Sequence, residues 1–136
     1  IGEKGYGGAA KFCNVQALSI TSVYASEEIT VSRVTDKNRN PGNALQGMDK
    51  EQWQQYMETA AKGDSLQATV ITTDSAVHFY KPILIQPMCL SCHGTACKEI
   101  ASELLPVLDS LYPGDKARGY KAGDLRGMWH IVFDKK

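Results

Sequence analysis

The sequence predicts an α+β fold: a small antiparallel sheet flanked by helices, in one domain covering residues 1–136. Three observations predict it. Some stretches repeat apolar residues at helical spacing, others are rich in β-branched residues, and the order runs helix, strand, helix, two strands, helix, strand. The two consecutive strand-like runs are separated only by Asp74-Ser75, a hairpin-like break. No internal repeat or low-complexity tract interrupts this order.

Taken in order, residues 3–26 read as a helix, with Ala10, Cys13, Ala17, Ile20 and Tyr24 on one apolar face. Ile29–Thr35 alternates and is β-branched, a strand. Asp36–Asn43, "DKNRNPGN", is dense in Asn, Gly and Pro and must turn; Asn40 and Asn43 are expected to bond local backbone there. Asp49 is expected to cap a helix running to about Lys62, with Gly63 ending it and Trp53, Tyr56 and Met57 facing the core. Ser65–Thr73 and Ala76–Gln86 are strands, and Pro82 argues for an edge or a bulge in the second. Lys98–Tyr112 is helical in pattern, with Pro106 as a kink or restart. Pro113–Gly127 is a glycine-rich loop whose Gly119, Gly123 and Gly127 supply positive φ or close approach. Met128–Phe133 closes as a strand.

Acidic and basic residues number 15 each, so no field of one sign attracts nucleic acid or an anionic membrane surface. No apolar run approaches the roughly 18 residues a membrane helix needs. The opening "IGEKGYGG" holds no signal-peptide core and no initial Met, so a removed export signal or a trimmed chain is expected.

Chemistry concentrates in "PMCLSCHGTAC", Pro87–Cys97, which holds three of the four cysteines. Cys89-Leu90-Ser91-Cys92-His93 is C-x-x-C-H. Two thiols at this spacing can each form a thioether with a haem vinyl group, and the next histidine becomes an axial ligand of the iron. One such motif predicts one covalent haem. A zinc site would draw on Cys89, Cys92, His93 and Cys97, but adjacent Cys92 and His93 fit one tetrahedral metal poorly, and closed zinc sites usually take ligand pairs from separated segments. A redox dithiol usually opens the helix of a βαβ unit, which the surroundings lack. Haem attachment of this kind takes place on the outer side of an energised membrane, so a periplasmic or lumenal location is expected.

A six-coordinate iron needs a second ligand. Cys13, Cys97, His78, His130, Met48, Met57, Met88 and Met128 are the candidates. Cys13 sits mid-stripe on the first helix, which slightly favours it among these, but from periodicity alone a packed structural cysteine is the stronger reading. Met88 is too close to the attachment point. His78 and His130 are expected near the surface.

Four ordered segments resemble a known family: "AAKFCNVQA", "RNPGNA", "FYKPILIQPMCLSCHG" and "YPGDKARGYKAGDLRGMW". They are similar to single-haem c-type cytochromes with a PAS-like fold, a haem-binding domain formerly of unknown function that also serves as the sensing domain of bacterial receptors. The resemblance implies a PAS-like antiparallel sheet with helices around it, haem held by Cys89 and Cys92, His93 as proximal ligand and Cys13 as distal ligand. Ala44-Leu45 departs from the family's loop, and Cys97 lies outside its pattern. A Cys13–Cys97 disulfide would remove the proposed ligand. Arg126 is a candidate partner for a haem propionate, against a salt bridge to Asp124 or Asp115. Tyr80, Tyr112 and Tyr120 are candidates to line the haem, against plain core packing. Lys81 reads as an exposed strand lysine.

These readings make the chain a periplasmic or thylakoid-lumen cytochrome in redox or small-gas (NO, CO) sensing or in electron transfer to a partner protein. The alternative is a haem enzyme, peroxidase-like or nitrogen-oxide-converting, with an open distal face and an acid or base supplied by His78 or His130. A zinc or dithiol module is the third reading.

Overall fold

The computed structural model describes residue 2 and residues 4–136; Glu3, where the sequence starts the first helix, lies outside them. Helix α1 runs Gly5–Ser22, strand β1 Ile29–Val34, helix α2 Asp49–Ala61, strands β2 Thr69–Thr72 and β3 Ala76–Leu84. The one-turn helix α3 (Leu90–His93), helix α4 (Leu105–Leu111) and strand β4 (Leu125–Asp134) complete the chain. The strands form one antiparallel sheet in the order β1-β4-β3-β2. The expected α+β layout is the observed one.

The β2–β3 hairpin closes at Asp74-Ser75, with the Thr73 amide donating to the Ala76 carbonyl at 2.9 Å. Pro82 lies in an interior strand, which its missing N–H should forbid. It is accommodated because β2 reaches only to Tyr80, so β3 is locally an edge there, and the register slips just beyond, between Ile83 and Leu84. Through that irregularity β4 starts at Leu125, earlier than the expected Met128. Pro106 restarts a helix: α4 begins at Leu105, because proline suits the first helical positions, where no N–H is required. Residues 98–104 therefore turn instead of forming the first half of a long helix. Gly63 ends α2 with φ 77° as expected.

Three apolar clusters hold these elements. Val34, Trp53, Tyr56, Tyr80, Leu125 and Met128 pack α2 against the sheet. Ala10, Ile100, Leu104, Leu108 and Tyr112 join α1 to α4. Ile85, Ala117 and Tyr120 pack with Cys89 and Leu90 of the C-x-x-C-H motif. On α2, Met57 is exposed, contrary to expectation, because the helix buries the stripe of Gln52, Trp53 and Tyr56. On the expected apolar face of α1, Ala10 is buried but Cys13 and Ile20 are exposed, and Tyr24 lies beyond the helix end at Ser22 and is exposed as well.

Asp49 does more than open α2. Its Oδ2 accepts from the Gln46 amide at 3.0 Å, and Oδ1 accepts from His130 Nδ1 at 2.8 Å and from Tyr80 Oη at 3.2 Å. With Nδ1–H committed to Asp49, His130 Nε2 takes the proton of His78 Nδ1 at 2.9 Å. The two histidines, expected near the surface, thus belong to a half-buried chain whose acceptor lies in the core. Burial alone would raise the Asp49 carboxyl; the bonds from His130, the Gln46 amide and Tyr80 outweigh it and hold the group below the ordinary carboxylate range.

Replacing the carboxylate strands two buried donors. Asp49→Ala is expected to cost about 1–3 kcal/mol of stability, read as a lower urea midpoint, and His78→Ala, which leaves the Asp49–His130 bond in place, is expected to cost less.

Candidate functional site

Strand β3 ends at Leu84, and the chain passes Ile85 and turns at Pro87–Cys89 into the single turn Leu90–His93. One turn of helix gains little from its own hydrogen bonds, so its neighbours fix it. Leu90 and Cys89 pack against the Ile85–Ala117–Tyr120 cluster, and Cys92 packs against the α1–α4 cluster. The turn ends at Gly94, whose amide donates to the Leu90 carbonyl at 2.8 Å. A Cβ there would come within 2.7 Å of that carbonyl oxygen and 2.6 Å of Glu99 Cβ, so only glycine fits.

Cys89, Cys92 and His93 open onto one cavity of about 780 Å³. That lies within the roughly 300–1,000 Å³ typical of cofactor sites. Helix α1 contributes Ala10, Cys13 and Ala17 to its lining; Ile83 and Ile85 of the sheet side, Leu108 and Tyr112 of the α4 side, and Arg33, Arg39 and Arg126 complete it. All four cysteines are free thiols. Burial pushes the Cys92 thiol above its usual pKa, with Arg39 opposing.

His93 is oriented by one bond. Its Nδ1 donates to the Ala117 carbonyl at 2.8 Å, which leaves the Nε2 lone pair available as a ligand. Burial and the nearby cations Arg39 and Arg126 lower its pKa to about 4, against the Ala117 bond and Asp115, so the ring is neutral at pH 7. Tyr120 meets it edge-on, with centroids 6.4 Å apart.

Among the candidates for a second ligand, Cys13 alone lines the cavity. Cys13 and Cys97 are both exposed thiols, but Cys97 and Met88 lie outside the cavity lining; Met128 is buried in the α2 cluster, and His78 and His130 are tied to each other and to Asp49. The acid or base that the enzyme alternative took from these histidines is therefore not in the cavity. Tyr80 is a correction: strand alternation turns it to the α2 side, where it packs under His130 and donates to Asp49. Tyr120 does not line the cavity either and acts from behind His93; Tyr112 does line it. Arg126 has neither Asp124 nor Asp115 as a partner: its Nη1 donates to the Lys37 carbonyl at 3.4 Å, and the guanidinium lies over Tyr120. Among the described residues, no group of three His, Cys, Asp or Glu side chains is placed to hold a metal ion, which leaves the zinc reading without its ligand set.

Arg39 and Asp115 are the residues the sequence did not single out for the site. Arg39 opens the "RNPGNA" segment, but its partner lies 76 positions away.

The sequence matches the Tll0287-like family over residues 4–133. The chain belongs to the Tll0287-like family. Its fold is similar to the crystal structure of the cyanobacterial heme-protein Tll0287, with a TM-score of 0.68 and 30% identity, over 89% of this chain and 68% of that one. No curated protein matches the chain. No helix among the described residues is long and apolar enough to cross a membrane.

Within this family member the donor set suits a haem: two thiols at attachment spacing, an imidazole with its outer nitrogen free, a third thiol in the same lining, and the cations Arg39 and Arg126 for acidic groups. In protein made without haem, the unfolded chain takes up the His93 proton near pH 6.5 and the folded chain only near 4. Stability is expected to fall by about 3 kcal/mol as pH drops through that window. Urea midpoints of wild type and His93→Gln between pH 7 and 4 check this, and the variant should lose that part of the slope.

Proposed function

We propose that this chain is a monohaem c-type cytochrome in which Cys89 and Cys92 hold the haem by thioether bonds and His93 and Cys13 are the axial ligands. Its work is redox or small-gas sensing, or electron transfer. One observation carries the reading: Cys89, Cys92, His93 and Cys13 all border the same cavity, in a relative of a heme-protein. A bound haem supplies a one-electron ferric–ferrous couple. The protein's share is positional. His93 presents Nε2 because Nδ1 is engaged, Cys13 would supply a sulfur ligand that donates electron density and favours a low potential, and Ala10, Ile83, Ile85 and Leu108 would pack against the macrocycle.

Arg126 supports the same reading. It is half-buried, with no carboxylate partner among the described residues, and burial depresses its pKa against the opposing influence of Tyr120. A cation in that position is stabilised by an acidic group in the cavity, which a haem propionate would provide. Two axial ligands leave no coordination position for turnover, so we place sensing or electron transfer ahead of the enzyme. Thioether attachment implies assembly outside the energised membrane, and with it a periplasmic or lumenal site of action.

Protein from a host competent in cytochrome c maturation is expected to carry the mass of one haem and to give a pyridine haemochrome spectrum of the two-thioether type. The double variant Cys89→Ser/Cys92→Ser should lose the covalent mass. Cys13→Ser should keep it while changing the low-spin EPR signal. Wild type with the bare polypeptide mass and no Soret band sinks the reading.

A further inference from the structure

We propose that Arg39 and Asp115 form a buried, oppositely charged clamp that positions His93 and sets how readily its site accepts an electron. The proposal rests on the haem reading for its electronic half.

His93 ends a single turn of helix, and the group that orients its ring, the Ala117 carbonyl, belongs to a loop with no regular structure. Something must therefore hold that loop. The Gly119 and Tyr120 amides donate to the Gly94 and His93 carbonyls at 2.9 and 3.0 Å, which docks the far end of the segment. The near end is docked by Asp115: its Oδ1 accepts from the Ala117 amide at 2.9 Å and from Arg39 Nε at 3.1 Å. Its Oδ2 accepts from Arg39 Nη2 at 3.1 Å and Arg118 Nε at 2.8 Å. Arg39 then spans to the other side of the ring's support. Nη2 donates to the Cys92 carbonyl at 2.6 Å and reaches the Ala117 carbonyl at 3.4 Å. One guanidinium thus touches the peptide before His93, the carbonyl that holds His93, and the carboxylate that holds that loop.

The side chains of Arg39 and Asp115 are only 12% and 2% exposed, so solvent screens them weakly. Their charges act on the site with opposite sign. A fixed cation beside an axial ligand favours the reduced site, and a fixed anion favours the oxidised one. A structural salt bridge alone predicts that removing either partner loosens the fold. The clamp predicts more: neutralising one charge at a time moves the potential in opposite directions.

The test measures midpoint potentials by spectroelectrochemical titration of the holoprotein, after mass spectrometry has shown that haem is attached. Asp115→Asn is expected to shift the potential upward and Arg39→Gln downward, with the double variant returning toward wild type. Two haem-loaded single variants with wild-type potentials, or shifts of the same sign, overturn the proposal. If Asp115→Asn does not fold, Arg39→Gln decides alone: a lowered potential supports the clamp, and an unchanged or raised one refutes it. A second readout needs no haem. Nitrogen-15 NMR of the His93 ring should show one tautomer, protonated at Nδ1, in the haem-free wild type and a mixture in Asp115→Asn. An unchanged single tautomer in that variant refutes the positioning half. A wild type that never carries haem refutes the haem reading instead and leaves this NMR comparison standing.

Discussion

One turn of helix has to present two sulfurs and an imidazole to a single cavity, and much of the surrounding architecture serves that demand. Leu90–His93 is too short to be stable by itself. The sheet delivers the chain to it through Ile85, a nearly fully buried residue that exchanges backbone hydrogen bonds with Gly123 and Asp124. Those bonds pin the entrance to the motif against the start of β4. The exit is pinned by Gly94, where any side chain would strike Leu90's carbonyl, and by the segment 117–120. A motif that is local in sequence is therefore held in place by partners that are distant in sequence, and C-x-x-C-H spacing alone does not make a site.

The sheet also separates two kinds of histidine. His93 faces the cavity with one nitrogen engaged and one free. His78 and His130 lie on the α2 side, where each ring is committed to hydrogen bonding within the Asp49 chain. The same residue type thus keeps a nitrogen free toward the cavity on one side and joins a side-chain hydrogen-bond chain on the other. For His130 the difference lies in its partners: a backbone carbonyl binds one nitrogen of His93 and leaves the other, whereas Asp49 and His78 together use both nitrogens of His130. Buried hydroxyls usually find an acceptor, and Tyr80, turned from the cavity by strand alternation, finds Asp49.

What the sequence made legible follows the range of the interactions. The hairpin at Asp74-Ser75, the break at Pro106 and the stop at Gly63 rest on local backbone rules, and each appears where those rules put it. The attachment motif is legible for the same reason. The reach of α1, the early start of β4 and the exposure of Met57 were not, because they depend on which elements meet in space. Arg39 shows the limit most clearly. In the chain it is a charge beside an Asn-Pro turn, the usual signature of a solvated loop. In the fold it is 12% exposed and bonded to residues 53 and 76 positions away. Tyr80 errs in the other direction: it lies near the motif in sequence, yet one strand's alternation is enough to send it to the opposite face.

The two walls of the cavity are held to different degrees. The wall carrying His93 is fastened by backbone bonds from Gly119 and Tyr120 and by the buried or half-buried side chains of Asp115 and Arg39. The wall carrying Cys13 is α1, whose only buried residue among those described is Ala10 and whose bond to α4 is a single long one, from Asn14 Nδ2 to the Leu111 carbonyl at 3.4 Å. Val15 on the same helix faces solvent, and so does Val23 just past its end. Segments with few buried contacts open at lower free energy than segments with many. Movement at this site therefore costs least on the side of Cys13, while His93 stays fixed. An electron carrier gains nothing from such inequality, because it reorganises least when both ligands are rigid. A sensor needs one ligand that stays and one that can leave, and the uneven fastening of the two walls favours that branch of the proposed function.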